Sequence, residues 1–253
     1  MQAYGRGFAR AYNLRWGGFA RQVGPHLVEF YARTPGGRAK QPVLDLCCGT
    51  GLVGLCFLEH GYPVTGLDLS RHMLAYAAEN AAAYVRAGMA AFVQGDAAQF
   101  ALDGGFGMAV ATYDALNHLA DFAALRSCFR SAHAALRAGG WFIFDLNTRR
   151  GLRRWPRTTI DDSEAAVVTT RGRLDEDKAR ATLNITGFLR TEAGLYERFD
   201  ETVFNTIFDI QPVLWTLRNQ GWSSAHAARF GDLATPLDEP EQEERVFIVA
   251  QRA

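Results

Sequence analysis

At 253 residues with 48% hydrophobic composition, the chain can bury one sizeable core and fits a single α/β domain with an insertion, which excludes a disordered segment. Its 27 basic and 27 acidic side chains cancel, so no global field gathers nucleic acid or an anionic membrane, and the expected partner is a small molecule. Met1 to Arg10 has no apolar leader core, and no apolar run approaches the ~18 residues of a membrane span, so a cytoplasmic protein is expected. The four cysteines, Cys47, Cys48, Cys56 and Cys128, lack C-x-x-C spacing and read as small buried residues in a reducing compartment.

In chain order, Tyr12, Trp16, Phe19, Val23, Leu27, Phe30 and Tyr31 predict one or two amphipathic helices within Gln2 to Thr34, interrupted at Gly17-Gly18 and Gly24-Pro25. Thr34-Pro35-Gly36-Gly37 reads as a turn. Val43 to Gly51, V-L-D-L-C-C-G-T-G, is then an apolar strand that stops at a carboxylate and turns through small residues into a helix beginning near Leu52. Gly49 and Gly51 allow the backbone to approach a ligand, and the helix start offers unpaired N–H groups. Gly49 to Gly54 matches G-x-G-x-x-G, a weak signal alone. Asp45 discriminates, because a carboxylate facing the loop suits a cationic ligand better than a pyrophosphate. S-adenosylmethionine, with its ammonium and sulfonium, is such a ligand.

His60-Gly61 ends the helix, Pro63 to Leu67 is a second strand, and Asp68 at its C-terminal end can accept ribose hydroxyls. Ser70 is a natural N-cap. Ala91 to Gln94 is a third strand followed by Gly95-Asp96-Ala97, and Gly107 to Thr112 a fourth, leading into Tyr113-Asp114-Ala115-Leu116-Asn117-His118-Leu119. Phe122, Leu125, Phe129, Ala132 and Leu136 mark a helix with one buried stripe, closed by Ala138-Gly139-Gly140 before a fifth strand, Trp141 to Leu146. Ala165 to Arg173, Ala179 to Arg190 and Leu195 to Phe208 partly alternate, which predicts an antiparallel insertion of three or four strands. A helix from Ile210 to Gln220 and strands Trp222 to Arg229 and Glu244 to Gln251 close the chain.

D-L-C-C-G-T-G resembles motif I of the class I S-adenosylmethionine-dependent methyltransferases, (D/E)-x-G-x-G-x-G, with Cys47 at the first glycine. Asp68-Leu69-Ser70-Arg71-His72-Met73-Leu74 resembles the D-x-S-x-x-M-L that follows the second strand in that family. Gly95-Asp96-Ala97 resembles the motif whose Asp binds the adenine amino group, and L-R-A-G-G-W-F-I-F-D-L-N resembles the L-x-P-G-G turn and fifth strand, with Ala138 for proline. The resemblance implies a Rossmann-like sheet, mostly parallel with an antiparallel seventh strand, bound to S-adenosyl-L-methionine. It implies a cofactor core of residues 1–146 and 209–253, with an N-terminal helical cover in which Tyr4, Tyr12 or Trp16 either line the site or pack against the domain. Cofactor candidates are Tyr12, Asp45, Cys47, Gly49, Thr50, Gly51, Asp68, Leu69, Met73, Gly95, Asp96, Ala97 and Thr112. The 147–208 insertion is similar to that of small-molecule N-methyltransferases, including those that dimethylate nucleotide-linked amino sugars; it is expected to hold the acceptor and is a candidate homodimer contact.

Methyl transfer is an in-line displacement in which alignment can supply ~7–11 kcal/mol, so no catalytic triad is required. Where the nucleophile starts protonated a base helps, and His118, Asn117 and Tyr113 follow the fourth strand at the ligand edge. The histidines form no H-x-H or H-E-x-x-H pattern, so no metal is expected. Arg149, Arg150, Arg153, Arg154 and Arg157, spaced mostly to one helical side, either hold a substrate phosphate or form a solvated face paired with Asp161 and Asp162. An N-methyltransferase of a small-molecule amine is the expectation. An O-methyltransferase and a non-catalytic cofactor-binding protein share the cofactor site. A nicotinamide-dependent oxidoreductase leaves Asp45, Asp96 and the closing hairpin unexplained, and a nucleic-acid enzyme would carry an N-P-P-Y type motif where Tyr113 to Leu116 stands.

Overall fold

The computed structural model describes residues 4–253. The chain lays down β1 (Val43–Leu46), β2 (Val64–Asp68), β3 (Ala90–Gln94), β4 (Phe106–Ala111) and β5 (Leu136–Asn147). It then leaves to build β6 (Thr158–Asp162), β7 (Ala166–Asp175), β8 (Arg180–Arg190) and β9 (Tyr196–Thr206), and returns with β10 (Trp222–Ala228) and β11 (Arg245–Arg252). The main sheet has the order β10-β11-β5-β4-β1-β2-β3. β11 runs against both neighbours, and the pairings from β5 to β3 are parallel. This is the expected class I sheet.

Alternation along the central strands directs side chains to two helical layers. Val43, Val64, Val110 and Ile143 pack beneath α2 (Gly18–Ala32) and α4 (Leu52–Glu59) through Val23, Leu27, Tyr31 and Phe57. Leu44, Leu46, Phe142 and Phe144 face the other way, against Leu125 and Phe129 of α7 (Phe122–Ala135) and Val213 and Leu217 of α9 (Ile210–Asn219). The remaining helices are α1 (Arg6–Arg15), α3 (Pro35–Arg38), α5 (Arg71–Asn80), α6 (Ala82–Arg86) and α8 (Arg149–Leu152). No described helix is long and apolar enough to cross a membrane.

The structure corrects the sequence reading at three places. α2 runs through Gly24-Pro25, since Val23, Leu27 and Val28 are buried on both sides of the proline and a Cβ on Gly24 would come within 2.5 Å of Cys56 Sγ. Thr34 to Gly37 forms a single helical turn, with Thr34 Oγ1 accepting from Gly37 N at 3.0 Å. Ala138-Gly139-Gly140 is a bulge inside β5, where the register to β4 shifts and Gly139 is left-handed, while α7 has already ended at Ala135. The insertion is antiparallel with four strands, within the three or four expected; the one the sequence did not locate is Thr158–Asp162, which pairs with β7 through its backbone although every residue in it is exposed. A strand without a buried face leaves no alternation to read.

The insertion packs through Ala166, Val168, Ile185, Leu189 and Val203 onto Phe8, Ala9 and Ala11 of α1, which in turn meets Met73 of α5. α1 is thereby held between the insertion and α5. A second tie is Asn117, completely buried, whose Nδ2 donates to Asn147 O at 3.2 Å and Thr206 O at 2.9 Å while Oδ1 accepts from Asn147 N at 2.9 Å. Its amide is committed to the ends of β5 and β9, so the side chain does not reach the ligand edge as a catalytic group would. Asn117→Ala leaves buried backbone groups unpaired at ~1–3 kcal/mol each, so the melting temperature should fall by roughly 5–10 °C while turnover per folded molecule persists. A stable variant with abolished turnover would contradict this assignment.

Candidate active site

A cavity of about 630 Å³ opens between the C-terminal ends of the central strands, α1 and the inner face of the insertion. The loop after β1 alternates into the left-handed region at Cys47 (φ 54°), Gly49 (φ 54°) and Gly51 (φ 75°). Cys47, at the position of the motif's first glycine, holds a left-handed backbone at a cost of order 1–2 kcal/mol. Its thiol lines the cavity, and burial holds it well above the ordinary range, hence protonated. Gly51 caps α4 and Gly95 packs on Leu67; a Cβ at either would come within about 3 Å of a neighbour, and neither lines the cavity.

Asp68 Oδ2 accepts from Gly49 N at 2.9 Å and Oδ1 from Ser70 N at 2.8 Å, so the loops after β1 and β2 meet on one carboxylate that still faces the cavity. Burial raises its pKa against the pull of these N–H groups. Leu69, Met73, Asp96 and Ala97 line the same side, and Asp96 Oδ1 accepts from Ala98 N at 2.8 Å.

Asp45 lies deeper than the sequence suggests. It borders a narrow side pocket with Tyr12, Cys47, Thr50, Thr112 and Tyr113, four of which also line the main cavity. Its Oδ2 accepts from Gly54 N at 3.0 Å, and burial pushes its carboxyl from the ordinary 3.8 up to about 7, with the charge of Asp68 adding to the shift and the Gly54 N–H opposing it. Thr50 Oγ1 is buried there without a hydrogen-bond partner among the described residues. An orphan hydroxyl beside a carboxylate poised near neutrality fits the ammonium and carboxylate end of an amino-acid moiety.

At the opposite corner Tyr113 and Asp114 are consecutive left-handed residues (φ 67° and 50°). Asp145, completely buried in β5, accepts from Tyr113 N at 2.6 Å and Asp114 N at 2.9 Å. Arg245 bonds to Asp145 and, at 2.8 Å, to Asp114 Oδ1, and its guanidinium lies 5.0 Å from the Phe19 ring and 5.7 Å from that of Tyr113. Sequence reasoning missed all three charged residues. The available signal was a carboxylate inside the apolar run F-I-F-D-L-N, since a charge within a buried strand is expensive unless it is paired.

His118 ends a short turn, and its Nε2 sits 3.2 Å from the Tyr4 hydroxyl. Burial lowers the His118 pKa and raises that of Tyr4, so both are neutral near pH 7. Tyr4 is itself held by Ser70 Oγ, which donates to its carbonyl at 2.8 Å, while Gly5 N donates to Glu201 at 2.9 Å. Tyr4, Tyr12 and Trp16 all line the cavity and also pack, Tyr4 stacking on Phe8 at 4.6 Å.

The five arginines divide. α8 is one turn long, so they share no helical side. Arg149 and Arg153 pair with Glu176, Arg149 also with Asp209, and Arg154 with Glu244; Asp161 pairs instead with Arg15. Arg157 lines the cavity beside Trp155, Thr159 and Thr170 and has no carboxylate within 4.0 Å among the described residues.

Residues 43–140 match the family model described as a methyltransferase domain. YqeM of Bacillus subtilis (strain 168), described as a methyltransferase, is 28% identical over 217 residues, 85% of each chain. An S-adenosylmethionine-dependent methyltransferase from Clostridium acetobutylicum ATCC 824 superposes with a TM-score of 0.78 at 19% identity, covering 98% of both chains. The chain has the fold of the class I S-adenosylmethionine-dependent methyltransferases, with a methyltransferase-domain match over residues 43–140. The sugar N-methyltransferase KedS8 from Streptoalloteichus sp ATCC 53650 shares the methyltransferase fold, with a TM-score of 0.75 at 20% identity over 95% of this chain and 92% of that one.

The pKa of Asp45 makes the stability of the ligand-free protein pH-sensitive. Because the folded value lies above the unfolded one, its contribution is fully present below pH ~4 and lost as pH rises through about 7. Between pH 5 and 8 the wild type should lose about 2–3 kcal/mol relative to Asp45→Asn, read from denaturant melts at each pH. A pH-independent difference would show that Asp45 does not titrate in this range.

Proposed function

We propose that this methyltransferase methylates an amine nitrogen of a small-molecule acceptor held between the sheet edge and the 147–208 insertion. The supporting observation is the composition of the cavity wall beyond the cofactor loops: neutral His118 and the Asp114 carboxylate on the sheet side, and Leu183, Ile185 and Val203 on the insertion side. KedS8, described as a sugar N-methyltransferase, shares this architecture over almost its whole length.

S-adenosylmethionine supplies a methyl group on a sulfonium when bound. Asp68 is the proposed ribose anchor, Asp96 the adenine contact, and Thr50 with Asp45 the partners of the amino-acid end. α1 covers the site with Tyr4, Phe8, Tyr12 and Trp16, which excludes water and narrows the approach of the nucleophile. An amine that arrives as an ammonium must lose a proton to attack. His118 Nε2, neutral and bonded to the Tyr4 hydroxyl, is the proposed acceptor of that proton, directly or through water. Arg157, with the Thr159 and Thr170 hydroxyls beside it, is placed to hold an anionic group such as a phosphate on the far side of the acceptor. Exposed Ile160, Leu195 and Tyr196 at the rim of the insertion are the proposed homodimer contact.

A screen of amines and hydroxy compounds for S-adenosylhomocysteine release tests the reading; turnover confined to hydroxy compounds would overturn it. With an amine substrate found, His118→Ala should lower turnover ~10²-fold, with partial recovery at higher pH as solution supplies neutral amine. A fully active, stable His118→Ala removes the base role.

A further inference from the structure

The corner formed by Tyr113 and Asp114 carries more negative charge than its own structure needs. Asp145 alone anchors it, accepting both backbone amides and pairing with Arg245. Asp114 adds a second carboxylate against the same guanidinium. Its Oδ1 is engaged by Arg245, whereas Oδ2 has no hydrogen-bond partner among the described residues, and the side chain lines the cavity. Around it Tyr4, Tyr12, Tyr113 and His118 are driven by burial toward their neutral forms, while at Asp145 burial raises the pKa against the pull of Arg245. Two carboxyl groups share one guanidinium among largely aromatic walls, so Asp114 has no cation of its own at the end of β4 among the described ion pairs. Low-dielectric walls strengthen its action on whatever sits in front of it.

We propose that Asp114 is the carboxylate that receives the positive charge of the acceptor nitrogen, selecting amines over oxygen nucleophiles; this rests on the N-methylation reading and assigns its specificity to one residue. The acceptor's lone pair forms the new N–C bond as the S–C electron pair stays with sulfur, so the positive charge arrives on nitrogen. Asp114 stabilises that charge as it develops and equally favours the ammonium form on arrival, whose proton then passes to His118 or to water. An oxygen nucleophile that enters as an anion meets repulsion at the same place. The left-handed backbone at Asp114, kept by Asp145, is what turns this carboxylate into the cavity.

Sinefungin carries an amine-bearing carbon in place of the methylsulfonium and so puts a cation at the reacting centre without turnover, whereas S-adenosylhomocysteine leaves that position uncharged. Titration calorimetry with both ligands on the full chain should give a sinefungin affinity about tenfold or more above that for S-adenosylhomocysteine. Asp114→Asn keeps an acceptor for Arg245 while removing the charge; it should abolish most of that preference and leave S-adenosylhomocysteine binding within about twofold. Asp114→Ser, a second charge-removing variant checked by its melting temperature, guards against a folding artefact. Equal affinity for the two ligands in the wild type overturns the proposal without recourse to any variant, as does a preference that survives in Asp114→Asn. The two readings fail separately: turnover of hydroxy compounds alone strikes N-methylation, whereas a sinefungin preference independent of Asp114 strikes only the assignment of Asp114.

Discussion

Carboxylates on the central strands that accept backbone N–H groups from loops are the interaction on which this site depends. Asp45 holds the start of α4 through Gly54 N, Asp68 ties Gly49 to Ser70, and Asp145 captures Tyr113 and Asp114. Each removes backbone donors from competition with water and stiffens a turn that would otherwise relax, because charge-assisted hydrogen bonds of this kind are stronger than neutral ones. Cys47, Tyr113 and Asp114 sit at positive φ without being glycine, which only a surrounding framework of this sort sustains. Strain and carboxylates occur together around the cavity, so its walls are preorganised.

The same carboxylates are costly in the ligand-free protein. Asp45, Asp68 and Asp145 are nearly or completely buried, and burial raises the pKa of each. Arg245 relieves Asp145 and Asp114, whereas Asp45 and Asp68 have N–H donors but no cationic partner among the described ion pairs. A cationic ligand bound there would complete what the fold leaves uncompensated. Stability and ligand binding are therefore linked through one set of charges.

Much of this was legible in the chain because the signals are local. The apolar run Val43 to Leu46 ending in glycines, the acids after the second and third strands, and the stripe from Phe122 to Leu136 each report a periodicity or a turn requirement, and the structure has the sheet they imply. What escaped was set by tertiary contact. Arg245 and Asp145 are separated by 100 positions and meet because β11 pairs with β5. Asn117 looks like an edge residue in sequence, yet the end of β9 folds over it. The arginines from 149 to 157 share a composition but not a role, since their partners Glu176, Asp209 and Glu244 come from distant loops. Gly24-Pro25 signals a break that burial on both sides overrides.

The central claim is that the loops joined by Asp68 form the cofactor site. Calorimetric titration of S-adenosylhomocysteine into the wild type and Asp68→Ala, with melting temperatures in parallel, tests it most directly. Losing charge-assisted bonds worth ~1.5–3 kcal/mol should weaken binding about ten- to a hundred-fold in the variant while it remains folded. Unchanged affinity in a folded Asp68→Ala would contradict the account.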